Sequence, residues 1–230
     1  MTLTRTFGLI AFAGIVLGSV ACKKDSSTPQ DTSVKTRLST YVEQDGKGIV
    51  YVTDLPGDTT ASPGAPANTV YFSFATNSTV DSSKRLTGNW DIAFSSIYNS
   101  YVTINSGTNT NSPGYGGTQQ GALYLVSQPF DSVKVVPASS AVNVNGSAGM
   151  DGYPSAIWPG WYQYNTTTHI LTTIQGKTLV IRLASGKYAK LEMISLYKGN
   201  PASPSLTTPV PYLTFRYWVQ QDGSTNLVIP

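Results

Sequence analysis

The sequence predicts an all-β domain built mostly from antiparallel strands, on three observations. First, no segment after the N-terminal apolar run has the periodicity of an amphipathic helix. Second, alternating, β-branched and aromatic runs recur along the chain and are separated by Gly, Pro, Asn and Ser. Third, only 12% of the 230 residues are charged, whereas 40% are hydrophobic and 11% are aromatic. This composition is typical of extracellular β-rich proteins and argues against disorder.

The alternating and β-branched runs define the predicted strands. They lie at residues 47–55, 68–75, 88–96, 100–105, 121–126, 131–136, 160–165, 169–174, 177–184, 187–197 and 211–220. Two of the connections are typical of tight hairpin turns. In "SGK", Gly186 can adopt the positive φ that such a turn requires. The polar residues 165–168, "NTTT", are predicted to turn 161–164 back against 169–174.

The last two predicted strands indicate how the sheet is buried. In 187–197, alternation places Leu191 and Met193 on one apolar face, which we predict to pack into the core. The opposite face carries Lys190 and Glu192 and is predicted to be partly exposed to water. The final predicted strand carries aromatic residues on both faces, which indicates a central strand covered on both sides. A sandwich or a curled sheet follows from this pattern.

The N-terminal residues have the layout of an export signal. One positive charge, Arg5, precedes an apolar run from Phe7 to Val20 that is too short for a comfortable membrane span. The small residues "SVA" then lead to Cys22, and this order resembles a lipoprotein processing box. We therefore predict that residues 1–21 are a lipoprotein signal peptide and that Cys22 carries the lipid.

Cysteine usage and the segment after Cys22 favour a lipid anchor. Cys22 is the only cysteine, so the chain can form no internal disulfide, and conventional cleavage would leave a free thiol. Residues 22–40 are predicted to be the lipidated cysteine and a flexible tether, and residues 41–230 the β domain. The start "CKKD" is similar to surface-export signals of Bacteroidetes lipoproteins. We expect a location at the outer membrane or cell surface, with membrane contact through the lipid.

The charge balance argues against nucleic acid as a partner. The formal net charge is +3, and no run of Lys and Arg, including Lys23 and Lys24, is longer than two residues.

Two long loops are candidates for a functional role. The first, 105–121, is rich in glycine but does not lead into a helix, so we interpret it as a strand connector. The second, 137–160, contains Met150, Tyr153 and Trp158, more apolar surface than a solvated linker needs. We expect the second loop to fold over the core or over a ligand.

The sequence contains no recognisable catalytic motif. A single histidine excludes a multi-histidine zinc site, and the Cys-x-x-Cys, G-x-S-x-G and G-x-x-x-x-G-K-[ST] patterns are absent. A carboxylate such as Asp91 could act in a glycosidase only if a second carboxylate faced it across a groove, and the sequence shows no such pair. Asp91 is therefore interpreted as a structural hydrogen-bond acceptor. Arg182 is interpreted as solvent-facing or ion-paired. We therefore predict that the protein is not an enzyme.

The only histidine, His169, permits two interpretations. It follows a polar turn and opens a predicted strand, a position where an imidazole commonly makes a single hydrogen bond. Alternatively, it is a ligand for a metal or for heme iron. The residue types around it do not decide between these alternatives.

Five spaced segments resemble one known family. They read "TGNWDIAFSS", "GYGGTQQGAL", "GWYQYN", "VIRLASGKYAKLEMISLY" and "YLTFRYWVQ". In content and order they resemble the HmuY-like family of Bacteroidetes surface lipoproteins, several of which bind heme. The resemblance covers about residues 65–220 and agrees with the lipoprotein signal.

The resemblance implies a right-hand-shaped β fold and no enzymatic activity. It also implies that heme is held between loops and hairpin ends, and that an outer-membrane heme transporter is the partner. The founding member uses two axial histidines, one before its Trp-containing strand and one just after it. Here the first position falls in 137–160, which has no histidine but contains Met150. The second falls near Thr166, three residues before His169. Since some relatives use methionine ligands, Met150 and His169 are the candidate axial pair.

Two functional hypotheses follow from the sequence. In the first, the protein is a lipid-anchored surface protein that captures heme. In the second, the same scaffold lacks the heme ligands and binds a glycan, another small ligand or a partner protein. Exposed aromatic residues such as Tyr153, Trp158 and Tyr162 would suit stacking against sugar rings.

Overall fold

Short strands pair into three antiparallel sheets in the part of the chain that the structure describes. The computed structural model describes residues 34–138, 146–155 and 159–230. The strands are β1 (Thr36–Arg37), β2 (Val42–Gln44), β3 (Val50–Pro56), β4 (Val70–Ser73), β5 (Ser78–Val80), β6 (Ile92–Ser95), β7 (Tyr101–Ile104), β8 (Ala122–Val126), β9 (Ser147–Ala148), β10 (Tyr162–Asn165), β11 (Ile170–Thr173), β12 (Thr178–Arg182), β13 (Tyr188–Ser195) and β14 (Tyr212–Val219). Two 3-10 turns, Ser82–Lys84 and Phe130–Ser132, are the helical elements of the described residues. The all-β prediction is confirmed.

The largest sheet has seven strands in the order β1-β2-β3-β14-β13-β12-β8. Its central strand is β14, which pairs with β13 on one side and with β3 on the other. Phe215 and Tyr217 of β14 lie in the main hydrophobic core, while Trp218 packs in a second apolar cluster on the opposite face. Both faces of β14 are therefore covered, as the aromatic pattern predicted.

The second sheet has five strands in the order β5-β4-β6-β7-β9 and packs against the large sheet. Aromatic rings join the two sheets: the ring centroid of Phe215 lies 5.4 Å from that of Phe72 and 5.2 Å from that of Phe94. Met193 is buried in the same core, as predicted. Two sheets with their apolar faces in contact form a sandwich.

Both predicted hairpins are confirmed, the second with its turn one residue later than predicted, so that His169 ends the turn and does not open the strand. Gly186, with a φ of 82°, connects β12 to β13. The turn 166–169 connects β10 to β11, which form a separate two-stranded sheet. In this turn the side-chain oxygen of Asn165 accepts hydrogen bonds from the backbone N–H groups of Thr167 and Thr168, each at 2.9 Å. Asparagine at a strand end commonly supports a turn in this way.

The strand predicted at 131–136 is wrong. The chain there forms the 3-10 turn Phe130–Ser132 and then a single antiparallel bridge between Val135 and Asn226. Phe130 and Val133 are buried in the second apolar cluster, which covers the outer face of the large sheet. The apolar pattern of this segment therefore reflects its role as a cover rather than as a member of a sheet.

The face of β13 that carries Lys190 and Glu192 is less exposed than predicted. Lys190 is completely buried, and its Nζ donates a hydrogen bond of 2.9 Å to the carbonyl oxygen of Val133. The same ammonium group lies 4.9 Å from the ring centroid of Phe130. Glu192 remains partly exposed and forms an ion pair with Arg216, with 2.7 Å between Oε2 and Nε. Strand alternation could not reveal the covering segment that excludes water from Lys190.

The predicted organisation of the N-terminal residues lies largely outside the described part of the chain. Residues 1–33, including Cys22 and the predicted signal peptide, lie outside the described residues. The first strand, Thr36–Arg37, pairs with β2 although it falls within the predicted tether 22–40. The paired residues thus begin before residue 41, and the division of the chain into signal peptide, tether and domain stays a prediction. Within the described residues no helix is long and apolar enough to cross a membrane.

Candidate functional site

A cavity of about 540 Å³ lies beside the small hairpin β10–β11. Its walls come from parts of the chain that are distant in sequence: Gly64, the segment 96–101, the segment 150–153, the hairpin itself, residues 196–197 and the loop 205–210. A volume of this size is within the range of small-molecule and cofactor sites.

The wall of this cavity is aromatic and uncharged. Six of the chain's 14 tyrosines contribute to it, together with aliphatic side chains, a thioether and the single imidazole. The tyrosines are Tyr98, Tyr101, Tyr153, Tyr162, Tyr164 and Tyr197. Among the described lining residues there is no Asp, Glu, Lys or Arg. Such a wall favours a ligand with a large flat apolar surface over a small ion.

The floor of the cavity is held by buried hydrogen bonds around Ser100. The indole Nε1 of Trp161 donates to the carbonyl oxygen of Ser100 at 3.0 Å, and the hydroxyl groups of Ser100 and Tyr162 are also 3.0 Å apart. Burial raises the pKa of Tyr162 to about 12, so its hydroxyl is neutral at physiological pH. Tyr162 is 6% exposed, which contradicts the expectation of an exposed stacking surface. Its backbone lies in the hairpin strand, but its side chain turns toward the core.

The loop 96–101 is fixed by one buried amide, that of Asn99. Its Nδ2 donates to the carbonyl oxygens of Asn68 and Phe94 at 2.8 and 2.9 Å, and its Oδ1 accepts from the N–H of Asp58 at 2.8 Å. Ser96, Tyr98 and Asn99 all have positive φ values of 68°, 55° and 51°. Non-glycine residues seldom adopt this left-handed region unless their surroundings hold them there. The Asn99 hydrogen bonds supply that constraint and preform this wall.

The two candidate axial ligands line the same cavity. His169 occupies the last position of the hairpin turn, with a φ of 57°, and its backbone N–H donates to the carbonyl oxygen of Asn165 at 2.7 Å. Its Nδ1 lies 2.7 Å from the hydroxyl oxygen of Tyr164. The imidazole is exposed, so the turn places it at the edge of the cavity.

Met150 reaches the cavity from the other side of β10. It forms a parallel bridge with Tyr162 and packs, half-buried, against the main core. The neighbouring N–H of Asp151 donates to the carbonyl oxygen of Tyr162 at 2.8 Å, which fixes this segment beside the hairpin. The prediction that part of 137–160 folds over the core or a ligand agrees with this placement. Trp158 lies outside the described residues.

The rim of the cavity exposes apolar side chains to solvent. Tyr153 is 55% exposed and Leu206 is 73% exposed, and Ile97 and Tyr164 are 41% and 39% exposed. Exposed apolar side chains gathered at one opening are typical of a binding site, whereas isolated ones are not informative.

Comparisons with known proteins identify the family of this domain. Residues 65–217 match the family model of the HmuY protein. The chain belongs to the HmuY family. Among solved structures, a candidate HmuY-like heme-binding protein from Bacteroides vulgatus ATCC 8482 is 16% identical, with a TM-score of 0.41 over 80% of this chain and 95% of that chain. A candidate lipoprotein from Bacteroides fragilis NCTC 9343 is 14% identical, with a TM-score of 0.39 over 80% of this chain and 92% of that chain. No curated protein matches the sequence.

Other polar residues of this HmuY-family chain have structural roles. The Oδ2 atom of Asp91 accepts a hydrogen bond of 2.7 Å from the N–H of Phe74, and burial raises the pKa of this carboxyl. The interpretation of Asp91 as a structural acceptor is confirmed. Arg182 is exposed at the end of β12, as predicted. Within the described ranges, no group of three or more His, Cys, Asp or Glu side chains is placed to hold a metal ion.

Sequence reasoning missed most of the cavity wall of this HmuY-family domain. Ile97, Tyr98 and Leu206 gave no motif, because they come from turns and loops without alternation. One signal was present: tyrosines are abundant in this chain, and several lie beside turn residues such as Asn99. Only the fold shows that these tyrosines converge.

Proposed function

We propose that this HmuY-family protein is a non-catalytic binding protein that captures heme in the tyrosine-lined cavity. The observation that carries the proposal is the presence of Met150 and His169 on the wall of one cavity. Membership of a family of binding proteins, some of which bind heme, supports it. The proposal needs no catalytic group.

The residues present fit heme in their chemistry. A thioether and an imidazole are both established ligands of heme iron, and His169 and Met150 would hold it. The tyrosines and aliphatic side chains would cover the apolar faces of the porphyrin, and the cavity volume of about 540 Å³ is of a suitable order. Heme would supply the iron to which these two side chains bind. Ser96, Ser205 and Thr208 line the same cavity, and their hydroxyl groups would be hydrogen-bond donors for the carboxylates of the heme.

The cellular context of the proposal comes from the N-terminal sequence and the family. We propose export by the signal peptide 1–21, lipid attachment at Cys22, and a location on the outer membrane or cell surface. An outer-membrane heme transporter is the proposed partner that receives the heme. Incorporation of labelled palmitate into the wild-type chain, and its loss in Cys22→Ser, would test the anchor.

A hemin titration of residues 26–230 tests heme capture directly. This chain contains the whole of the compact unit Ser33–Pro230. We expect a saturable shift to a sharp Soret band and a six-coordinate spectrum that is lost in His169→Ala. Thr166→Ala is the matched control, because Thr166 is exposed in the same turn but does not line the cavity. A spectrum equal to that of free hemin with wild-type protein would refute heme capture.

A second candidate function is binding of a glycan or another uncharged small ligand. The cavity wall has six tyrosines and no charged side chain among the described residues, and tyrosine rings stack well against the apolar faces of sugars. A glycan array probed with the same chain tests this candidate, and it would be abandoned if no glycan is retained. A partner protein that docks on the exposed rim is the third candidate.

A further inference from the structure

Tyr164 and His169 face each other at the open end of the hairpin. Tyr164 lies in β10, opposite Leu171, and His169 closes the turn that follows. The hydroxyl oxygen of Tyr164 is 2.7 Å from Nδ1 of His169, and the two rings are 6.1 Å apart with an angle of 45° between their planes. This is a short, direct hydrogen bond between two residues that both line the cavity.

The hydrogen bond restricts what the imidazole can do. A neutral imidazole has one nitrogen with a proton and one with a free lone pair, and only the latter can bind a metal. Because Nδ1 is engaged by Tyr164, Nε2 is the nitrogen left for a ligand. If the Tyr164 hydroxyl accepts a hydrogen bond from the Nδ1–H group, the lone pair lies on Nε2. If Tyr164 donates to Nδ1 instead, Nε2 carries the proton and cannot bind iron.

The backbone of His169 is fixed by the turn, so only the orientation of its imidazole ring can still vary. Its φ of 57° and the hydrogen bond from its N–H to Asn165 set the position of the Cα atom in the turn. The imidazole itself is exposed, so packing contributes little to its orientation. Tyr164 is the partner that the structure gives to the ring.

We propose that Tyr164 is a positioning residue for ligand capture by His169. Its hydroxyl accepts a hydrogen bond from the Nδ1–H group, holds the ring against the hairpin, and leaves the Nε2 lone pair available at the cavity. This inference rests on the proposed heme capture. It assigns a role to Tyr164, which contacts His169 and not the iron. Metal-bound histidines commonly donate their second N–H to such a partner, and loss of that partner weakens metal binding by about 10- to 100-fold.

The single histidine makes the first part of the test unambiguous. In untagged 15N-labelled protein without hemin, every imidazole resonance belongs to His169. At a pH where the ring is neutral, we expect the Nδ1–H tautomer in the wild type. In Tyr164→Phe we expect a shift toward the Nε2–H tautomer that free imidazole prefers. A wild-type ring with its proton on Nε2, or an unchanged ring in Tyr164→Phe, would overturn the inference.

The second part is a double-mutant cycle of hemin affinity with Tyr164→Phe, His169→Ala and the double variant. Tyr164→Phe should weaken hemin binding about tenfold in the wild-type background and have no effect in the His169→Ala background. Tyr115→Phe is the control, because Tyr115 is exposed and does not line the cavity. Thermal melting of every variant checks that the fold is retained.

The outcomes separate the two proposals. If the wild type fails to bind hemin, the proposed function is wrong and this inference falls with it. If the wild type binds and Tyr164→Phe binds equally well, heme capture stands and the inference is wrong. If Tyr164→Phe weakens binding as much in the His169→Ala background, Tyr164 contacts the ligand itself and does not act through His169.

Discussion

Replacing the buried Lys190 by methionine should remove a pH dependence from the stability of this protein. Lys190 is 0% exposed, and its ammonium group has the carbonyl oxygen of Val133 and the ring of Phe130 as neighbours. Burial lowers the pKa of Lys190 to about 8, with smaller contributions from the positive charges of Lys134 and Arg216. The nearby Asp131 carboxylate acts in the opposite direction. The folded protein therefore bears a cost for keeping this amine charged.

The sign and size of the effect follow from the two pKa values of Lys190. The folded value is about 8 and the ordinary value is 10.5, so between these pH values the unfolded chain binds more protons than the folded protein. The free energy of unfolding should consequently rise as the pH increases through this window. One pKa unit corresponds to about 1.4 kcal/mol, which gives a rise of roughly 3 kcal/mol across the whole window. Below pH 8 the cost of the buried charge is present in full.

Urea unfolding at several pH values from 7 to about 10 measures this dependence. At each pH, linear extrapolation of the unfolding transition to zero urea gives the free energy of unfolding. We expect a rising curve for the wild type and a flat one for Lys190→Met. Lys177→Met is the control, since the Lys177 amine bonds the Ser127 hydroxyl at the exposed surface. Parallel curves for the wild type and Lys190→Met would show that Lys190 does not carry a buried charge, and the reasoning would be wrong.

Four further predictions concern the cavity and the loop beside it. Asn99→Ala should lower the free energy of unfolding by about 2–4 kcal/mol, because the three hydrogen bonds of this buried side chain are lost; urea unfolding measures this. Tyr162→Phe should cost about 1–2 kcal/mol by leaving the buried Ser100 hydroxyl without its partner, as a thermal melt would register. Met150→Leu should weaken hemin binding, whereas Met193→Leu in the core should not, although both exchanges conserve volume. Hemin affinity should change by less than about threefold when salt is raised to about 1 M, because no described charged side chain lines the cavity.

The elements that sequence could predict are those with several alternating residues. The eight-residue strands β13 and β14 show their two faces directly, so the burial of Met193 and the double covering of β14 were predictable. Strands of two or three residues, such as β1, β5 and β9, are too short for any alternation to be visible. The order of strands in the sheet could not be predicted from the sequence either, because β14 pairs with β3, which lies far away along the chain.

The burial of Lys190 and the position of the cavity escaped prediction for a common physical reason. Each depends on which segment covers a given strand, and that choice is made by tertiary packing. Lys190 alternates with apolar residues and looked solvent-facing until Phe130 and Val133 closed over it. The cavity likewise requires loops 96–101 and 205–210 to meet the hairpin, and nothing local to either loop specifies that meeting.

The two interpretations of His169 that the sequence left open are compatible in this fold. Its backbone has the geometry of a turn residue, with a left-handed φ and a hydrogen bond to Asn165. That same turn ends beside the cavity, so the residue that completes the hairpin also contributes its imidazole to the wall. Met150 follows the same logic, because the bridge that ties it to Tyr162 also brings its thioether to the cavity. In this domain, structural roles in the hairpin and proposed ligand roles in the cavity are carried by the same residues, since the hairpin is one of the cavity walls.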